Sequence, residues 1–325
     1  MKNYSIKKYE IHDFQKWNAF VELSINGAFL HNRNFMEYHA DRFTDFSLIV
    51  LDNEKWIAVL PANIFKNEIY SHQGLTFGSL IYNEKLKLES VISAFQEILK
   101  FLSINGFQKL FLKTIPSIYH QKPAEELNYA LFLANAKLFC RDSLSVIDLT
   151  KKIIITSGRS EGVKKATNLN LEVKEETSFD LFWNEILIPN LNNKFKTKPV
   201  HSLQEITKLR GLFPKNIRQF NVYQNNKIVA GTTIFESDHV AHAQYISGNE
   251  SKSENGSLDF LYHYLITTIF AKKHYFDFGT SNEEQGRKLN SGLNFWKESF
   301  GARTIVHDFY EIETKNYNLL EHVII

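Results

Sequence analysis

The chain has 325 residues, 43% of them hydrophobic and 14% aromatic, with 27 Phe and 14 Tyr against 14 Gly and 6 Pro. That composition excludes a disordered or collagen-like chain and supplies core for two domains or one large two-lobed unit. Its 38 basic and 36 acidic side chains leave a net charge of +2, too little for the phosphate-backbone attraction of a dedicated nucleic-acid binder. Cys140 is the single cysteine, which rules out an internal disulfide and a cysteine-built zinc site and fits a reducing compartment. The first ten residues hold no apolar signal region, and no later run approaches the roughly 18 apolar residues that cross a bilayer. The expectation is a cytoplasmic protein without a membrane span.

Residues 47–52 and 55–65 read as a hairpin turning at Asp52-Asn53-Glu54. An extended stretch over 68–82 follows, then a helix from Leu86 to about Ile104 and a strand over 109–113. Residues 143–149 read as the last strand of a first unit, and the polar segment 150–170 as a connector with Arg159, Lys164 and Lys165 in helical spacing. Ser178 caps a helix with Phe179, Phe182, Trp183, Ile186 and Leu187 on its apolar face, stopped or kinked by Pro189. Ser202-Leu-Gln-Glu205 is a capping box that opens another helix. A hairpin at Asn225-Asn226, a strand over 239–246, a helix over 258–272 and a strand over 275–278 then repeat the order of the first half. Lys55-Trp-Ile-Ala matches Lys227-Ile-Val-Ala at an offset of 172 (227 − 55), which Leu86 and Leu258 share; such self-similarity suggests duplication. The predicted domains are 1–150 and 151–325, each an α/β unit with a mixed, mostly antiparallel sheet flanked by helices.

Chemistry concentrates near the end of the second half. The run Tyr275 to Phe278 suits a strand covered on both faces, and Gly279 ends it. Ser281, Asn282, Glu283 and Glu284 then emerge at the strand's C-terminal edge, where open α/β sheets hold ligands. In the next helix Leu289, Leu293, Trp296 and Phe300 form a packing stripe, with Asn290, Asn294 and Lys297 on a second stripe free to bind. On the 239–246 strand, alternation puts Val240, His242, Gln244 and Ile246 on one face and His239, Ala241, Ala243 and Tyr245 on the other. A buried His242–Gln244 pair belongs to a core network or to a site, and an imidazole, with an ordinary pKa near 6.5, suits a general base. The loop 247–257 leads into a helix N-terminus whose free N–H groups suit a pyrophosphate, Ser257 serving otherwise as a plain N-cap. Asp277-Phe-Gly copies the kinase magnesium motif without its companions, and His239-x-x-His242 would face opposite sides of a strand. Neither supports a metal.

The connector Arg159-Ser-Glu-Gly-Val-Lys-Lys-Ala, the strand Phe276-Asp-Phe-Gly and above all Phe295-Trp-Lys-Glu-Ser-Phe-Gly-Ala302 resemble the Fem-type branch of the GNAT-like acyltransferases. Tyr70-Ser-His-Gln-Gly-Leu-Thr-Phe-Gly-Ser79 resembles the small-residue segment of that family's first domain, so the resemblance spans nearly the whole chain. It implies two GNAT-like domains in tandem and transfer of an acyl or aminoacyl group to an amine held in a groove between them. Lys297 matches the family lysine, implying contact with donor phosphate or an oxyanion. The acyl-CoA pyrophosphate pattern is reduced to Gly256 and Ser257 with Lys252 upstream, beside the basic Lys164 and Lys165. The long heptad hairpin of some Fem ligases is missing.

The resulting expectation is an N-acyltransferase with acyl-CoA as co-substrate and no metal. Its acceptor would be a small or a lipid- or nucleotide-carrier-linked amine, such as an amino sugar of surface polysaccharide synthesis. Glu283 or His242 would be the base and Lys297 the electrostatic stabiliser, with Gln244, Asn282, Ser281, His201 and His72 contacting the acceptor. One alternative keeps the fold and takes aminoacyl-tRNA, as in peptidoglycan aminoacyl ligases, which the near-neutral charge does not favour. Another is a catalytically silent sugar- or peptide-binding protein.

Overall fold

Asn225 and Asn226 both adopt left-handed backbone angles, φ 50° and 62°, the geometry of a two-residue hairpin turn that asparagine tolerates best. They join the antiparallel strands Ile217–Gln224 and Lys227–Glu236. Asn53, at φ 55°, does the same between Leu48–Asp52 and Lys55–Leu60. The computed structural model describes residues 2–325, the Phe195 side chain excepted, and its contacts divide the chain into two compact units. One comprises Met1–Asp142, Glu284–Arg287 and Val306–Ile325; the other comprises Ser143–Glu283 and Lys288–Ile305. A boundary expected after residue 150 lies eight residues early in this division, and the last twenty residues belong to the first unit.

In the first unit the strands Ser5–Lys8, Leu48–Asp52, Lys55–Leu60 and Ile81–Tyr82 form one antiparallel sheet. Lys109–Lys113 pairs antiparallel with residues 309–313 on one side and parallel with Glu68–Tyr70 on the other. The helix Leu88–Ile104 buries Val91, Phe95, Ile98, Leu99 and Leu102 in the core, about 1.5–3 kcal/mol for each large apolar side chain removed from water. The stretch expected to be extended from 68 to 82 is strand only over Glu68–Tyr70 and Ile81–Tyr82. Between them Ser71, His72 and Gly78 are held by hydrogen bonds, with His72 itself in the left-handed region at φ 50°; period-2 alternation alone does not register such a turn.

In the second unit the order is Glu172–Glu176, Ile217–Gln224, Lys227–Glu236, Val240–Gly248, Tyr275–Thr280 and then residues 144–148. Every pairing is antiparallel except that between Val240–Gly248 and Tyr275–Thr280. Leu261, Tyr262, Leu265, Phe270, Phe276, Phe278 and Phe300 fill the core. The connector is structured: Ser157–Asn168 is a helix packed on Ser257–Tyr264. A Cβ at Gly162 would lie 2.1 Å from Asp259 Oδ2, and one at Gly256 2.1 Å from the Gly162 carbonyl oxygen, so Gly162 makes room for the Asp259 side chain and Gly256 permits close backbone approach. Mixed, mostly antiparallel sheets flanked by helices are what the sequence predicts. Among the described residues no helix is long and apolar enough to cross a membrane.

The helix Ser291–Glu298 corrects one amphipathic assignment. Trp296 and Phe300 pack as expected against Tyr262 and Phe278. Leu289 and Leu293 are instead 51% and 40% exposed, while Lys297 is buried. The helix starts only after Asn290, whose side chain accepts from Leu293 N, so its buried face is rotated away from the stripe that begins at Leu289.

Candidate active site in the second unit

Two parallel strands meet over only three residues. Val240, Ala241 and His242 register with Tyr275, Phe276 and Asp277. Beyond that, Val240–Gly248 continues with Lys227–Glu236 on one side and, among the described residues, no strand on the other. An edge of main-chain amides is thereby left for something other than a strand to satisfy. At the last register pair His242 Nδ1 lies 2.9 Å from Asp277 Oδ2. A carboxylate only accepts, so Nδ1 carries a proton and, in the neutral ring, Nε2 keeps the lone pair. Asp277 is 1% exposed at its side chain and His242 15%, which leaves the imidazole as the reachable half of the pair.

Asp277 is itself fixed. Its other oxygen accepts from Gly279 N at 2.7 Å, and Gly279 has φ +70°, a turn reached at low cost only without a side chain. Lys297 Nζ donates to the carbonyls of Gly279 (2.9 Å) and Thr280 (2.7 Å). Burial pulls its pKa down to about 8, opposed in part by the Asp277 carboxylate. A cation, a carboxylate and an imidazole are thus tied through one tight turn. Sequence reasoning set Asp277 aside as a chance kinase-motif match; only the parallel register with His242 could have shown its partner.

A β-bulge sits at Gln244, because Ile234 registers with Ala243 and Thr233 with Tyr245. The extra residue reverses the alternation beyond it. Tyr245 therefore shares the face of His242, and Ala243 and Ile246 share the other, which corrects the faces expected from strict alternation. His201 lies on the first of these faces, buried, its Nδ1 2.6 Å from Tyr245 Oη and its backbone N donating to the same oxygen. Gln244 Oε1 and Ser281 Oγ are buried without a hydrogen-bond partner, one just past each member of the dyad. Buried polar atoms are rarely left so, and both suit contact with a ligand.

Other expected residues are placed elsewhere. Glu283 is exposed, in the two-residue strand Asn282–Glu283 paired with Lys288–Leu289. Asn282 is occupied: its Oδ1 accepts from Ser143 N and Oγ at 2.7 Å each and from Thr280 Oγ1 at 3.0 Å. His72 belongs to the first unit, buried and stacked on His39 at 5.3 Å, its pKa lowered to about 3 by burial and then by neighbouring positive groups, His39 first. Lys164 and Lys165 are exposed on the connector helix, while Arg159 pairs with Asp259 at 2.7 Å. Lys252 lies in the short helix after Gly248, its pKa lowered to about 8 by burial and by the adjacent Lys194. Asn249 Oδ1, Asn255 Nδ2 and Ser257 Oγ are buried and unpartnered in the same loop, although Gly256 and Ser257 are covered by the connector helix.

No family model matches this chain, and no curated protein sequence matches it. Solved structures do. FemX superposes with a TM-score of 0.66 at 10% identity, over 97% of this chain and 99% of that one. The C-terminal domain of a putative lysylphosphatidylglycerol synthetase from Agrobacterium fabrum gives 0.56 at 12% identity, over 81% and 84%. A tandem GNAT protein from the clavulanic acid biosynthesis pathway gives 0.54 at 8% identity, over 96% and 99%. At such identities the likeness is one of fold.

Proposed function

We propose that this chain, which has the fold of the Fem-like tandem GNAT proteins, is a transferase that moves an acyl or aminoacyl group from an activated ester or thioester onto an amine. The observation that carries this reading is the hydrogen bond from His242 to Asp277 at the point where two parallel strands part. His242 Nε2 takes a proton from the neutral acceptor amine as it attacks, and Asp277 holds the ring in that tautomer and stabilises the imidazolium. The amine nitrogen bonds to the donor carbonyl carbon, whose oxygen takes up the displaced electron pair. Lys297 holds the Gly279–Thr280 turn, and its charge and remaining N–H favour that oxyanion. Collapse breaks the bond to the thiolate or alkoxide, which leaves with the proton from His242. The unpaired strand edge beyond His242 suits an extended donor arm carrying amides. Lys252 and Asn249, in the loop before the covered Gly256 and Ser257, suit the donor's phosphates.

An acyl-CoA donor is the first form of this reading, and an amino sugar or other carrier-linked amine the acceptor class. The second form takes an aminoacyl donor and is favoured by the likeness to FemX and to a putative lysylphosphatidylglycerol synthetase. Thermal-shift assays of the full chain with acyl-CoAs and with aminoacyl-tRNA, followed by transfer to amine acceptors, separate the two. Stabilisation by acyl-CoA alone selects the first. Transfer that survives both His242→Gln and Asp277→Asn undiminished overturns the assignment of the base.

A further inference from the structure

The first unit contains a counterpart of the parting strands. Glu68–Tyr70 runs parallel to Lys109–Lys113, and their register ends at Tyr70 against Phe111, as the other pair ends at His242 against Asp277. The offset of 172 that relates Lys55 to Lys227 also carries Tyr70 to His242 (242 − 70). Where the second unit has an acid–base dyad, the first has two rings stacked 4.6 Å apart and 9° from parallel. Nothing at that pair can accept a substrate proton at neutral pH, since burial and the Glu68 carboxylate push the Tyr70 phenol up to about 12.

A cavity of about 330 Å³ opens against this stack, lined by Tyr70, Phe111, Phe139, Phe309, His72 and Lys113 among others. Phe139 stands edge-on to Phe111 at 5.7 Å and to Phe309 at 6.3 Å. An apolar void of about 150 Å³ is enough for benzene, so this one takes a fused bicyclic ring. Lys113 supplies the polar end. Its Nζ donates to the carbonyls of Gln73 at 3.3 Å and Leu75 at 2.9 Å, which leaves one of three protons unassigned. Burial lowers its pKa to about 8 and among the described residues no neighbouring carboxylate opposes this, so it is a half-buried ammonium at neutral pH without a counter-charge. Such a cation is costly unless an anion joins it.

We propose that the cavity of the first unit is a binding site for an aromatic carboxylate, its ring against Phe111, Phe139 and Phe309 and its carboxylate on Lys113 Nζ. The site binds and does no chemistry. It stands independently of the reading given to the second unit.

Isothermal titration of the full chain at pH 7 with naphthylacetate, naphthylacetamide and naphthylethylamine tests the class. The carboxylate should bind at least about tenfold more tightly than the neutral amide, the range of one charge-assisted hydrogen bond, and the amine least. Lys113→Met should erase that preference. Cys140, the single cysteine and also a lining residue, reports location in the unmodified protein, because saturating naphthylacetate should slow its alkylation by iodoacetamide several-fold. Equal binding of amide and carboxylate, unchanged alkylation under saturation, or no binding up to the solubility limit would each overturn the proposal. Cys140→Phe, which fills the space, should abolish binding while the melting curve stays cooperative; if binding persists, the cavity is not the site.

Discussion

His242 Nδ1 and Asp277 Oδ2 lie 2.9 Å apart on neighbouring parallel strands, 35 residues apart in the chain, at the last position where those strands touch. Removing the carboxylate while keeping its shape tests what the bond does. Asp277→Asn removes the acceptor that selects the Nε2 lone pair, and it should lower kcat by about 10²- to 10⁴-fold, the range for a positioned general base. Steady-state kinetics with a melting curve as control measure this. A loss confined to KM would show that the pair positions substrate only.

Lys297 should leave its mark on the alkaline side. Its pKa of about 8 means that the ammonium is present below that pH and lost above it. Activity should therefore fall as pH rises through about 8. Lys297→Met should lower kcat about 10²-fold, as for loss of one oxyanion donor, and abolish the limb. Persistence of the limb in the mutant would assign it to another group.

Gly279→Ala probes the turn. The new Cβ would lie 3.3 Å from His242 Cε1 in a backbone at φ +70°, so a cost of about 1–2 kcal/mol of stability is expected. Turnover should fall more than that loss explains, because the methyl presses on the imidazole. Chemical denaturation and kinetics on the same preparation check both.

Acid should destabilise the first unit through two histidines. Burial lowers His31 to about 4 and His72 to about 3, below the ordinary value near 6.5. Above 6.5 both are neutral whether folded or unfolded. As pH falls below 6.5 only the unfolded chain takes the protons, so stability declines by about 1.4 kcal/mol per pH unit for each residue, until the folded pKa is reached. The loss should run from pH 6.5 to about 4 for His31 and to about 3 for His72. Denaturant midpoints across this range should flatten in His72→Gln relative to the parent chain.

Glu283→Gln should leave both the pH profile and turnover intact, since this carboxylate is exposed in a two-residue strand. A lost activity limb would restore it as the base in place of His242.

Turns and caps written in one or two residue types were legible in the chain. Asn225-Asn226 wrote its own hairpin, Ser202 and Glu205 closed their capping box with both reciprocal bonds, and the order of strands and helices in the two halves followed from hydrophobic period and turn residues. Those signals are complete within a few residues, which is why sequence alone determined the duplicated α/β plan. The tertiary structure decided everything that depends on which strands are neighbours. A parallel register between residues 35 apart turned Asp277 from a core position into the partner of His242, and a single bulge at Gln244 moved Tyr245 to the other face. The burial of Lys297 was not legible, because the rotation of its helix is set by where Asn290 caps it and by the rings of Tyr262 and Phe278 below. Pairing and packing are non-local, and no spacing along the chain encodes them.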